Sequence, residues 1–353
     1  MVEQTTTTSA ASPPTMAGNL LQVNHLAMYF PILRGLFGRS RGTIRAVDDV
    51  SFVVRQGETL GLVGESGCGK TTVGRCVVRA YDPTGGEMFY ARSDGTVVDL
   101  AQLQGEDLRP YRQDIRMIFQ DSYSSLNPRM TVFNNISEAM RNSGASRAEM
   151  EDRVAYLLRR VGLRPEYMKR YPHAFSGGER QRIAIARALV TNPRLIVADE
   201  AVSALDVSVR AQTLNLLEEL QRDFNLTYLF ISHDLSVIRH ICSRVIVMYV
   251  GKVVEIAERL DLYTDPQHPY TEALMSAVPI SNPLYRDRSH RIRLEGEVAD
   301  PSNPPSGCYF HPRCNYAREN CQKEEPALRA LGDGHSAACH YSEELGLRGA
   351  VMG

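Results

Sequence analysis

Residues 64–72 read Gly64-Glu65-Ser66-Gly67-Cys68-Gly69-Lys70-Thr71-Thr72 and match the phosphate-binding pattern G-x-x-x-x-G-K-[ST] at every fixed position. The preceding residues 58–63 form a short apolar run that predicts a buried strand, and residues 72–79 continue at helical spacing. The motif therefore lies in the strand, loop and helix context that it requires. A glycine-rich turn is the alternative, but average composition gives a chance match in a chain of this length a probability of about 1%.

The chemistry of this loop is the binding of a polyphosphate. Its glycines let backbone N–H groups point at phosphate oxygens, and the start of the following helix adds about half a positive charge. Lys70 is expected to reach the β- and γ-phosphates, Thr71 to place its hydroxyl on Mg²⁺, and Thr72 to offer a second hydroxyl. The predicted nucleotide-binding residues of the loop are Gly64, Ser66, Gly67, Cys68, Gly69, Lys70, Thr71 and Thr72.

Length, charge and composition limit the other possibilities. The 353 residues suffice for one large domain and a smaller one, and a formal net charge of −1 argues against a nucleic-acid partner, whose binding rests on excess Lys and Arg. No run approaches the ~18 apolar residues that a membrane-spanning helix needs, so we expect any membrane role to act through a partner. Residues 1–18 are rich in Thr, Ser, Ala and Pro and predict a disordered tail, not a signal peptide.

The N-terminal part of the chain offers candidate residues for contact with the base of a nucleotide. Residues 20–30 alternate as an edge strand does and end in Tyr29-Phe30. One of these rings could stack on adenine, or both could cover the end of the strand, and the sequence leaves both interpretations open. The basic, glycine-rich residues 31–42 predict a loop, and residues 44–55 predict the next strand.

Two predicted buried strands end in polar residues of catalytic type. Gln120 follows residues 115–119 and could orient water or complete a Mg²⁺ shell, although a lone Gln after a strand is usually a loop residue. His233 follows residues 227–232 and could hydrogen-bond a γ-phosphate or a nearby carboxylate, although a single His is more often structural.

A third predicted strand ends in two carboxylates. Residues 195–198 are all apolar and lead directly into Asp199 and Glu200. Asp199 is expected to hold Mg²⁺ through water, and Glu200 to polarise the attacking water as a general base. Solvated acids at the end of a strand are the alternative, which the presence of a phosphate loop makes less attractive.

A second anion-binding helix start is predicted further along the chain. Residues 132–162 show helical spacing, and Ser176-Gly177-Gly178-Glu179 then precedes residues 180–189, which are strong helix formers. Ser176 is a good N-cap residue, and the two glycines expose backbone N–H groups at the start of the helix. The chain thus carries two predicted phosphate-binding helix starts that are far apart in sequence.

These elements occur in the order of an ATP-binding cassette (ABC) protein, the ATPase subunit of membrane transporters. The chain resembles that family over residues 20–278 in six elements: the phosphate loop, the Gln120 loop, the Ser-Gly-Gly signature, the Asp-Glu strand, the loop at residues 203–206 and the histidine that follows. The resemblance implies an α/β fold of the ABC type, with a mixed-sheet P-loop core and a helical signature subdomain. It also implies that Gln120 senses nucleotide and touches the membrane subunit.

The resemblance extends to the role of each site residue. It implies that Glu200 acts as the base and His233 as its γ-phosphate companion, and that the signature presses on ATP bound by a partner ATPase. The implied catalytic residues are Lys70, Gln120, Glu200 and His233. The implied Mg²⁺ ligands are Thr71, Gln120 and Asp199. The implied nucleotide contacts outside the phosphate loop are Phe30, Tyr29, Gln120, Ser176, Gly177, Gly178, Glu179, Asp199 and Asp206.

The sequence departs from the family pattern at a few positions. Phe175 stands where leucine is usual, Glu179 where glutamine is usual, and Ala201-Val202 where Pro-Thr is usual. None of these changes removes a catalytic group, so we expect a competent site, with altered stiffness of the loop after the base.

Further stretches resemble the dipeptide, oligopeptide and nickel importer branch of the family. They are residues 120–128, 205–209 and 268–274. That branch carries a C-terminal extension with the pattern Pro-Pro-Ser-Gly-Cys followed by Pro-Arg-Cys, and both parts are present at residues 304–314. The implied cargo is di- or oligopeptide, with nickel or another small solute as the alternative.

The extension contains four cysteines that suit a metal site. Five, six and seventeen residues separate successive members, without the C-x-x-C pairs common in zinc sites. Thiolate ligation suits zinc or iron–sulfur chemistry, and the resemblance favours a [4Fe-4S] cluster, with zinc and plain reduced thiols as alternatives. The other cysteines, Cys68, Cys76 and Cys242, are expected to be small buried residues. The predicted cluster ligands are Cys308, Cys314, Cys321 and Cys339.

The sequence therefore predicts three parts: a disordered tail at residues 1–18, an ABC ATP-binding domain at 19–278 and a C-terminal extension at 279–353. By resemblance, the partners are a second, related ATPase subunit, two integral membrane permease subunits and, indirectly, an extracytoplasmic substrate-binding protein. The expected location is the cytoplasmic face of the membrane. The rivals are a soluble non-transport ABC ATPase and a non-hydrolytic regulatory subunit, and nothing in the sequence connects the cysteine-containing extension with hydrolysis.

Overall fold

The computed structural model describes residues 16–34, 39–121, 125–278, 291–332 and 334–350. Nearly all of the predicted tail at 1–18 lies outside the described residues, as do residues 122–124 and 279–290. The described strands are β1 (Asn19–Arg34), β2 (Arg39–Arg55), β3 (Thr59–Val63), β4 (Gly85–Ala91), β5 (Val97–Asp99), β6 (Ile115–Ile118), β7 (Leu195–Asp199), β8 (Thr227–Ile231), β9 (Arg244–Tyr249), β10 (Lys252–Glu258), β11 (Arg329–Gly332) and β12 (His335–Ala337).

Helices connect and cover these strands. The described α-helices are α1 (Lys70–Val77), α2 (Arg109–Asp114), α3 (Val132–Arg141), α4 (Arg147–Arg160), α5 (Gly177–Leu189), α6 (Val207–Phe224), α7 (Leu235–Ile241), α8 (Arg259–Thr264), α9 (Pro269–Ser276) and α10 (Glu319–Lys323). Short 3₁₀ turns lie at Gly105–Leu108, Pro165–Lys169, Pro172–Ala174 and His311–Arg313. No helix of the described residues is long and apolar enough to cross a membrane.

The main sheet has the order β11-β12-β10-β9-β3-β8-β7-β6. The strands from β9 to β6 pair in parallel, whereas β9–β10, β10–β12 and β11–β12 pair antiparallel, so the sheet is mixed. Strand β7 places Ile196 and Ala198 in one hydrophobic cluster, and Leu195 and Val197 in a second cluster on its other face. Burial on both faces explains why the central strands are continuous apolar runs in the sequence.

A second, antiparallel sheet of order β2-β1-β4-β5 packs beside the phosphate loop. Here the loop predicted at residues 31–42 is wrong for residues 31–34 and 39–42: β1 continues to Arg34, β2 begins at Arg39, and Pro31 lies opposite Thr43. Residues 35–38 lie outside the described residues. Pairing across the hairpin satisfies the backbone groups of both segments, and this tertiary effect outweighs the local preference of glycine and basic residues for a loop.

The helical subdomain contains α3, α4 and α5. The single helical pattern at residues 132–162 is two helices in the structure, because the chain turns at Gly144, which has a φ of +80°. Ser146 then begins α4 with a capping box, in which its hydroxyl accepts from the amide of Glu149 and the Glu149 carboxylate accepts from the Ser146 amide. The break is a consequence of local turn and capping chemistry.

The C-terminal extension joins the main sheet through β12. Residue Ala337 lies opposite Glu255 of β10, whose carboxylate is fully buried. That carboxylate accepts hydrogen bonds from the amides of Gln267 and His268 at 2.7 and 2.9 Å, and from His335 Nε2 at 2.8 Å. One carboxylate therefore links the last strand of the core, the segment before α9 and the extension. The domain boundary at residue 278 stays a prediction.

Substitution of Glu255 with Gln should destabilise the fold, since the amide turns a donor toward groups that are themselves donors. We expect a loss of about 1.5–3 kcal/mol in the free energy of unfolding, the range for hydrogen bonds to a charged group. Denaturant unfolding of the purified chain measures this. Glu258→Gln on the same strand is the matched control and should change stability by less than ~0.5 kcal/mol, because its ion pair with Arg55 is half exposed. Equal midpoints for the two variants would contradict the role given to Glu255.

Candidate active site

The phosphate loop connects the end of β3 to the start of α1, as its motif predicts. At two positions of the loop only glycine fits, because φ is positive and because a Cβ atom would clash with neighbouring backbone. Gly64 has a φ of +152°, and a Cβ there would lie 2.2 Å from the carbonyl oxygen of Met248. Gly69 has a φ of +105°, and a Cβ there would lie 2.0 Å from the carbonyl oxygen of Ala46. Any larger side chain would push the loop away from β9 and β2.

Lys70 spans the phosphate loop from the first turn of α1. Its ammonium donates to the carbonyl oxygens of Gly64 and Glu65, both at 2.8 Å, and the side chain is buried. The Lys70 Nζ also lies 3.6 Å from the Cys68 sulfur. Burial raises the pKa of the Cys68 thiol, which therefore stays protonated beside the ammonium. The cation is thus held over the loop where phosphate oxygens are expected.

Thr71 and Asp199 meet at the C-terminal end of β7. The Thr71 hydroxyl donates to Asp199 Oδ1 at 3.0 Å, and Asp199 is almost fully buried. Burial raises the pKa of Asp199 above its usual value, and the carboxylate of Glu200 acts in the same direction. Both oxygens suit Mg²⁺, a hard cation that takes few protein ligands and keeps several waters. Thr72, the next residue of α1, is partly buried.

Glu200 is the centre of the arrangement that the sequence predicted for catalysis. Its Oε2 accepts from Gln120 Nε2 at 2.8 Å, and its Oε1 accepts from His233 Nδ1 at 2.9 Å. Because a carboxylate offers only acceptors, Nδ1 of His233 carries the proton of this hydrogen bond. The Glu200 amide donates to the Ile231 carbonyl at 2.9 Å while its φ is +48°, a left-handed conformation that is unfavourable for this residue. The structure therefore brings Gln120, Glu200 and His233 together.

A cavity of about 410 Å³ opens between these elements. Three of its lining residues, Thr71, Gln120 and Asp199, were predicted from the sequence. Arg75 and Arg187 also line it and were not predicted. Both arginines lie on helices whose periodicity marks them only as polar-face positions. The sequence does not show that these two arginines lie near the site. They do so because α1 packs against β7 and α5 packs against β6.

The two aromatic candidates lie near the end of β1 in different surroundings. The Tyr29 hydroxyl donates to Asp48 Oδ1 at 2.6 Å, and burial together with this hydrogen bond raises the Tyr29 pKa to about 12. Phe30 packs edge-on against Tyr81, with ring centroids 5.6 Å apart. Tyr29 is thus held by its hydroxyl, whereas Phe30 is partly buried and stays the candidate for stacking on a base.

The signature residues cap the start of α5. Ser176 and Glu179 form a capping box, with the Glu179 carboxylate accepting from the Ser176 amide at 2.9 Å and from its hydroxyl at 2.8 Å. These bonds lower the pKa of Glu179. Glutamate at this position therefore has a clear capping role.

The start of the signature is exposed on the surface of this chain. Ser176 and Gly177 are exposed, while Gly178 packs so closely on α6 that a Cβ would lie 2.7 Å from Val209. Asp206, the N-cap residue of α6, is also exposed. The departures Phe175, Ala201 and Val202 are buried in the core. The described hydrogen bonds of Ser176 and Asp206 do not reach the phosphate loop of the same chain.

The four cysteines of the extension line one small cavity, together with His268 and Phe310. Burial raises the pKa of Cys308 to about 12 and of Cys314 to about 11, and the neighbouring thiols act in the same direction. Among the described residues, no three His, Cys, Asp or Glu side chains lie close enough to hold one metal ion. The donor chemistry fits a thiolate-bound group, while the spacing does not form a single-ion site. Cys68, Cys76 and Cys242 are buried, as predicted.

Family models match two parts of the chain. The model described as ABC transporter matches residues 47–203, and that of the oligopeptide/dipeptide transporter C-terminal region matches residues 254–321. Over 323 residues the chain is 50% identical to the oligopeptide transport ATP-binding protein AppF of Bacillus subtilis, a match that covers 91% of this chain and 97% of that relative. The chain belongs to the ABC transporter ATPase family. The phosphate loop and the Asp199-Glu200 strand both fall inside the first matched segment.

Other comparisons agree with this assignment. This ABC ATPase is 46% identical over 325 residues to the oligopeptide transport ATP-binding protein OppF of Haemophilus influenzae, covering 91% of this chain and 96% of that relative. Among solved structures, an ATP-binding cassette described as dimeric, in a post-hydrolysis state with ADP and Pi, matches with a TM-score of 0.59 and 26% identity. That match covers 68% of this chain and 99% of the other. The predicted ABC-type α/β fold is confirmed.

Replacement of Glu200 with Gln should abolish turnover and leave ATP binding intact. The change removes the proposed base but keeps the loop, Lys70 and the Thr71–Asp199 pair. Loss of a general base costs ~10²-fold or more in rate, which ATPase assays of the assembled transporter would measure. As a matched contrast, Lys70→Ala should weaken nucleotide binding itself. Near-normal hydrolysis by Glu200→Gln would rule out the role of Glu200, and unchanged affinity in Lys70→Ala would rule out that of Lys70.

Proposed function

We propose that this chain hydrolyses ATP to energise the import of di- or oligopeptides. The observation that carries the hydrolytic part is the position of Glu200, held between Gln120 and His233 beside the Thr71–Asp199 pair. The peptide cargo is supported by relatives whose names are oligopeptide or dipeptide transport ATP-binding proteins. Nickel or another small solute is the alternative cargo, because the cargo is bound by other subunits.

The phosphate loop and its neighbours bind and orient the substrate in this proposal. Backbone N–H groups between Gly64 and Lys70 surround the phosphates, and the Lys70 ammonium exchanges its two carbonyl partners for β- and γ-phosphate oxygens. Thr71 and Asp199 hold Mg²⁺, with Gln120 as the proposed third ligand. When bound, the ion neutralises charge on the phosphates. Phe30, with Tyr29 beside it, stacks on the adenine.

Glu200 handles the proton of the attacking water. The water oxygen attacks the γ-phosphorus as the bond to the ADP oxygen breaks, and the Glu200 carboxylate takes up the proton that the water loses. The hydrogen bond from His233 Nδ1 fixes the carboxylate. Nε2 of the same ring can donate to the γ-phosphate when the ring is an imidazolium, in which both nitrogens carry a proton. The presence of both residues argues against a non-hydrolytic regulatory subunit.

The exposed signature supports a pair of ATPases. Ser176 and Gly177 present a helix start and its N–H groups to the outside of this chain, so that ATP bound by a second subunit can reach them. Glu179 and Asp206 lie near that surface and would contact the partner's nucleotide. A structural neighbour is described as a dimeric ATP-binding cassette. We propose that the partner is a related, non-identical ATPase.

Attachment to the membrane would run through the segment after β6. Phe119, directly before Gln120, is 44% exposed and lines a groove of about 310 Å³ between the sheet and α5. An exposed aromatic side chain next to Gln120, whose amide binds Glu200, suits contact with a permease that must sense nucleotide. The proposed partners are therefore two integral permease subunits at the cytoplasmic face, with an extracytoplasmic substrate-binding protein linked indirectly. A soluble, non-transport ABC ATPase remains the alternative.

The isolated chain should hydrolyse ATP poorly and gain activity with a related ATPase subunit. The physical reason is that the phosphate loop and the signature of one chain face different nucleotides. Light scattering recorded alongside an ATPase assay, with and without the partner, measures both quantities on one sample. Full activity from a strictly monomeric preparation would contradict the pairing.

A [4Fe-4S] cluster is our proposal for Cys308, Cys314, Cys321 and Cys339. Four thiols that line one cavity support it, and zinc is the alternative group for the same thiolates. The extension is rich in Pro, Asn, Arg and Ser and has few apolar residues of its own, so a cross-link of this kind would help it to fold.

Anaerobically purified protein should be brown, with broad absorbance near ~400 nm, and Cys314→Ser should lose the colour and destabilise the extension. Iron and sulfide analysis of the same sample gives the stoichiometry, and Cys76→Ser is a control for loss of a thiol outside the cavity. Stoichiometric zinc without iron would replace the cluster by zinc. Absence of both metals would reject any metal site here.

A further inference from the structure

A buried ion pair joins the extension to the phosphate loop. The Arg313 guanidinium donates in a fork to the Glu65 carboxylate, with Nη1 to Oε2 at 2.7 Å and Nη2 to Oε1 at 3.1 Å. Only 7% of the Arg313 side chain and 28% of the Glu65 side chain are exposed. Such bidentate, charge-assisted pairs fix geometry as well as adding energy. The interaction spans 248 residues in sequence, and no periodicity or motif pointed to it.

Glu65 is held on its backbone as well as its side chain. Its amide donates to the Tyr270 hydroxyl at 2.8 Å, and its carbonyl accepts from Lys70 Nζ at 2.8 Å. The residue that precedes Glu65 is Gly64, the first fixed position of the loop. A shift of the Glu65 side chain therefore moves a carbonyl that competes with phosphate for the Lys70 ammonium. Arg313 is thus linked to the Lys70 ammonium through Glu65.

The same segment of the extension reaches the adenine side of the site. The Tyr309 hydroxyl donates to Asp48 Oδ2 at 2.9 Å, and the other oxygen of that carboxylate accepts from Tyr29 at 2.6 Å. Asp48 is 6% exposed and lies within 3.4 Å of Lys252 Nζ. Tyr309 and Arg313 are four residues apart, between the first two cysteines of the extension. Residues 309–313 therefore contact the phosphate loop directly, through Arg313 and Glu65, and are linked to Tyr29 through the Asp48 carboxylate.

We propose that residues 309–313 position the nucleotide site, with Arg313 holding the phosphate loop through Glu65 and Tyr309 holding the end of β1 through Asp48. Neither residue touches substrate in this inference; both are positioning residues that preorganise the site and raise its affinity for ATP. The inference rests on the nucleotide site proposed above. It assigns to the extension a part in ATP binding that goes beyond its own folding, because ordering a loop in advance lowers the entropic cost of binding.

Nucleotide affinity of the purified full-length chain tests the proposal. We expect Arg313→Gln to raise the Kd for ATP about tenfold, the effect of losing a charge-assisted hydrogen bond, and Glu65→Gln to do the same. The double variant should be no weaker than either single variant, since both changes break one interaction. Arg313→Lys keeps the charge without the fork and should fall between wild type and Arg313→Gln. Tyr309→Phe, which removes one hydroxyl, should raise the Kd about threefold, in the range for a neutral hydrogen bond.

The control is Arg318→Gln, which breaks an exposed ion pair with Glu344 in the same extension and should leave the Kd unchanged. In the assembled transporter, Arg313→Gln should raise the KM for ATP about tenfold while kcat stays within about twofold, because Glu200 and its partners are untouched. A merely structural role would lower kcat with the fraction of folded protein and leave the KM unchanged. Arg313→Lys and Tyr309→Phe keep the test open if Arg313→Gln does not fold.

Two results would overturn the inference. One is a normal Kd in folded Arg313→Gln or Arg313→Lys, and the other is additive effects in the double variant. Either result leaves the proposed ATPase function standing, since the unaltered chain would still bind ATP. Absence of ATP binding by the unaltered chain would instead remove the proposed function, and this inference with it.

Discussion

Parallel hydrogen bonding between β6, β7, β8, β3 and β9 is the constraint on which the site depends. In this register Ile118 lies opposite Ala198, and Gln120 and Glu200 each follow two residues later. Parallel neighbours end at the same edge of a sheet, so segments that are eighty or more residues apart deliver their polar side chains to one place. A change of one residue in the pairing would turn these side chains to the opposite faces.

Close packing and local hydrogen bonds then fix the phosphate loop and Glu200, whose conformations the pairing of the strands does not determine. The phosphate loop lies directly against the backbone of neighbouring strands, which is why Gly64 and Gly69 allow no Cβ. Glu200 stays in a left-handed conformation because its amide is bound to Ile231 and its carboxylate to Gln120 and His233. A strained residue costs on the order of 1–3 kcal/mol and persists only where its surroundings determine it this fully. The hydrogen bonds of Glu200 thus hold it in its unfavourable backbone conformation.

The extension depends on the core for its own interior. Phe310 packs with Tyr249 and Tyr270 of the core, with ring centroids 5.2 and 5.3 Å apart. Edge-on and tilted aromatic contacts of this kind add to the energy of burial. Together with the pairing of β12 on β10 and the Glu255 carboxylate, they attach a segment that has too few apolar residues to form a core alone. The attachment brings Arg313 against Glu65 of the phosphate loop and Tyr309 against Asp48.

The sequence alone determined the phosphate loop, the acidic strand, the signature helix and the family, because each is a short pattern whose chemistry is written in adjacent residues. Its error, a loop at residues 31–34 and 39–42 where the structure has strands, concerns how far an element runs, which strand pairing decides. Turn and capping residues likewise decide where the helical pattern at 132–162 divides into two helices. Only the tertiary structure joined Arg313 to Glu65 and Tyr309 to Asp48. Local spacing contains no information about residues more than two hundred positions away, and such contacts exist only after the sheet has been assembled and the extension has packed against it.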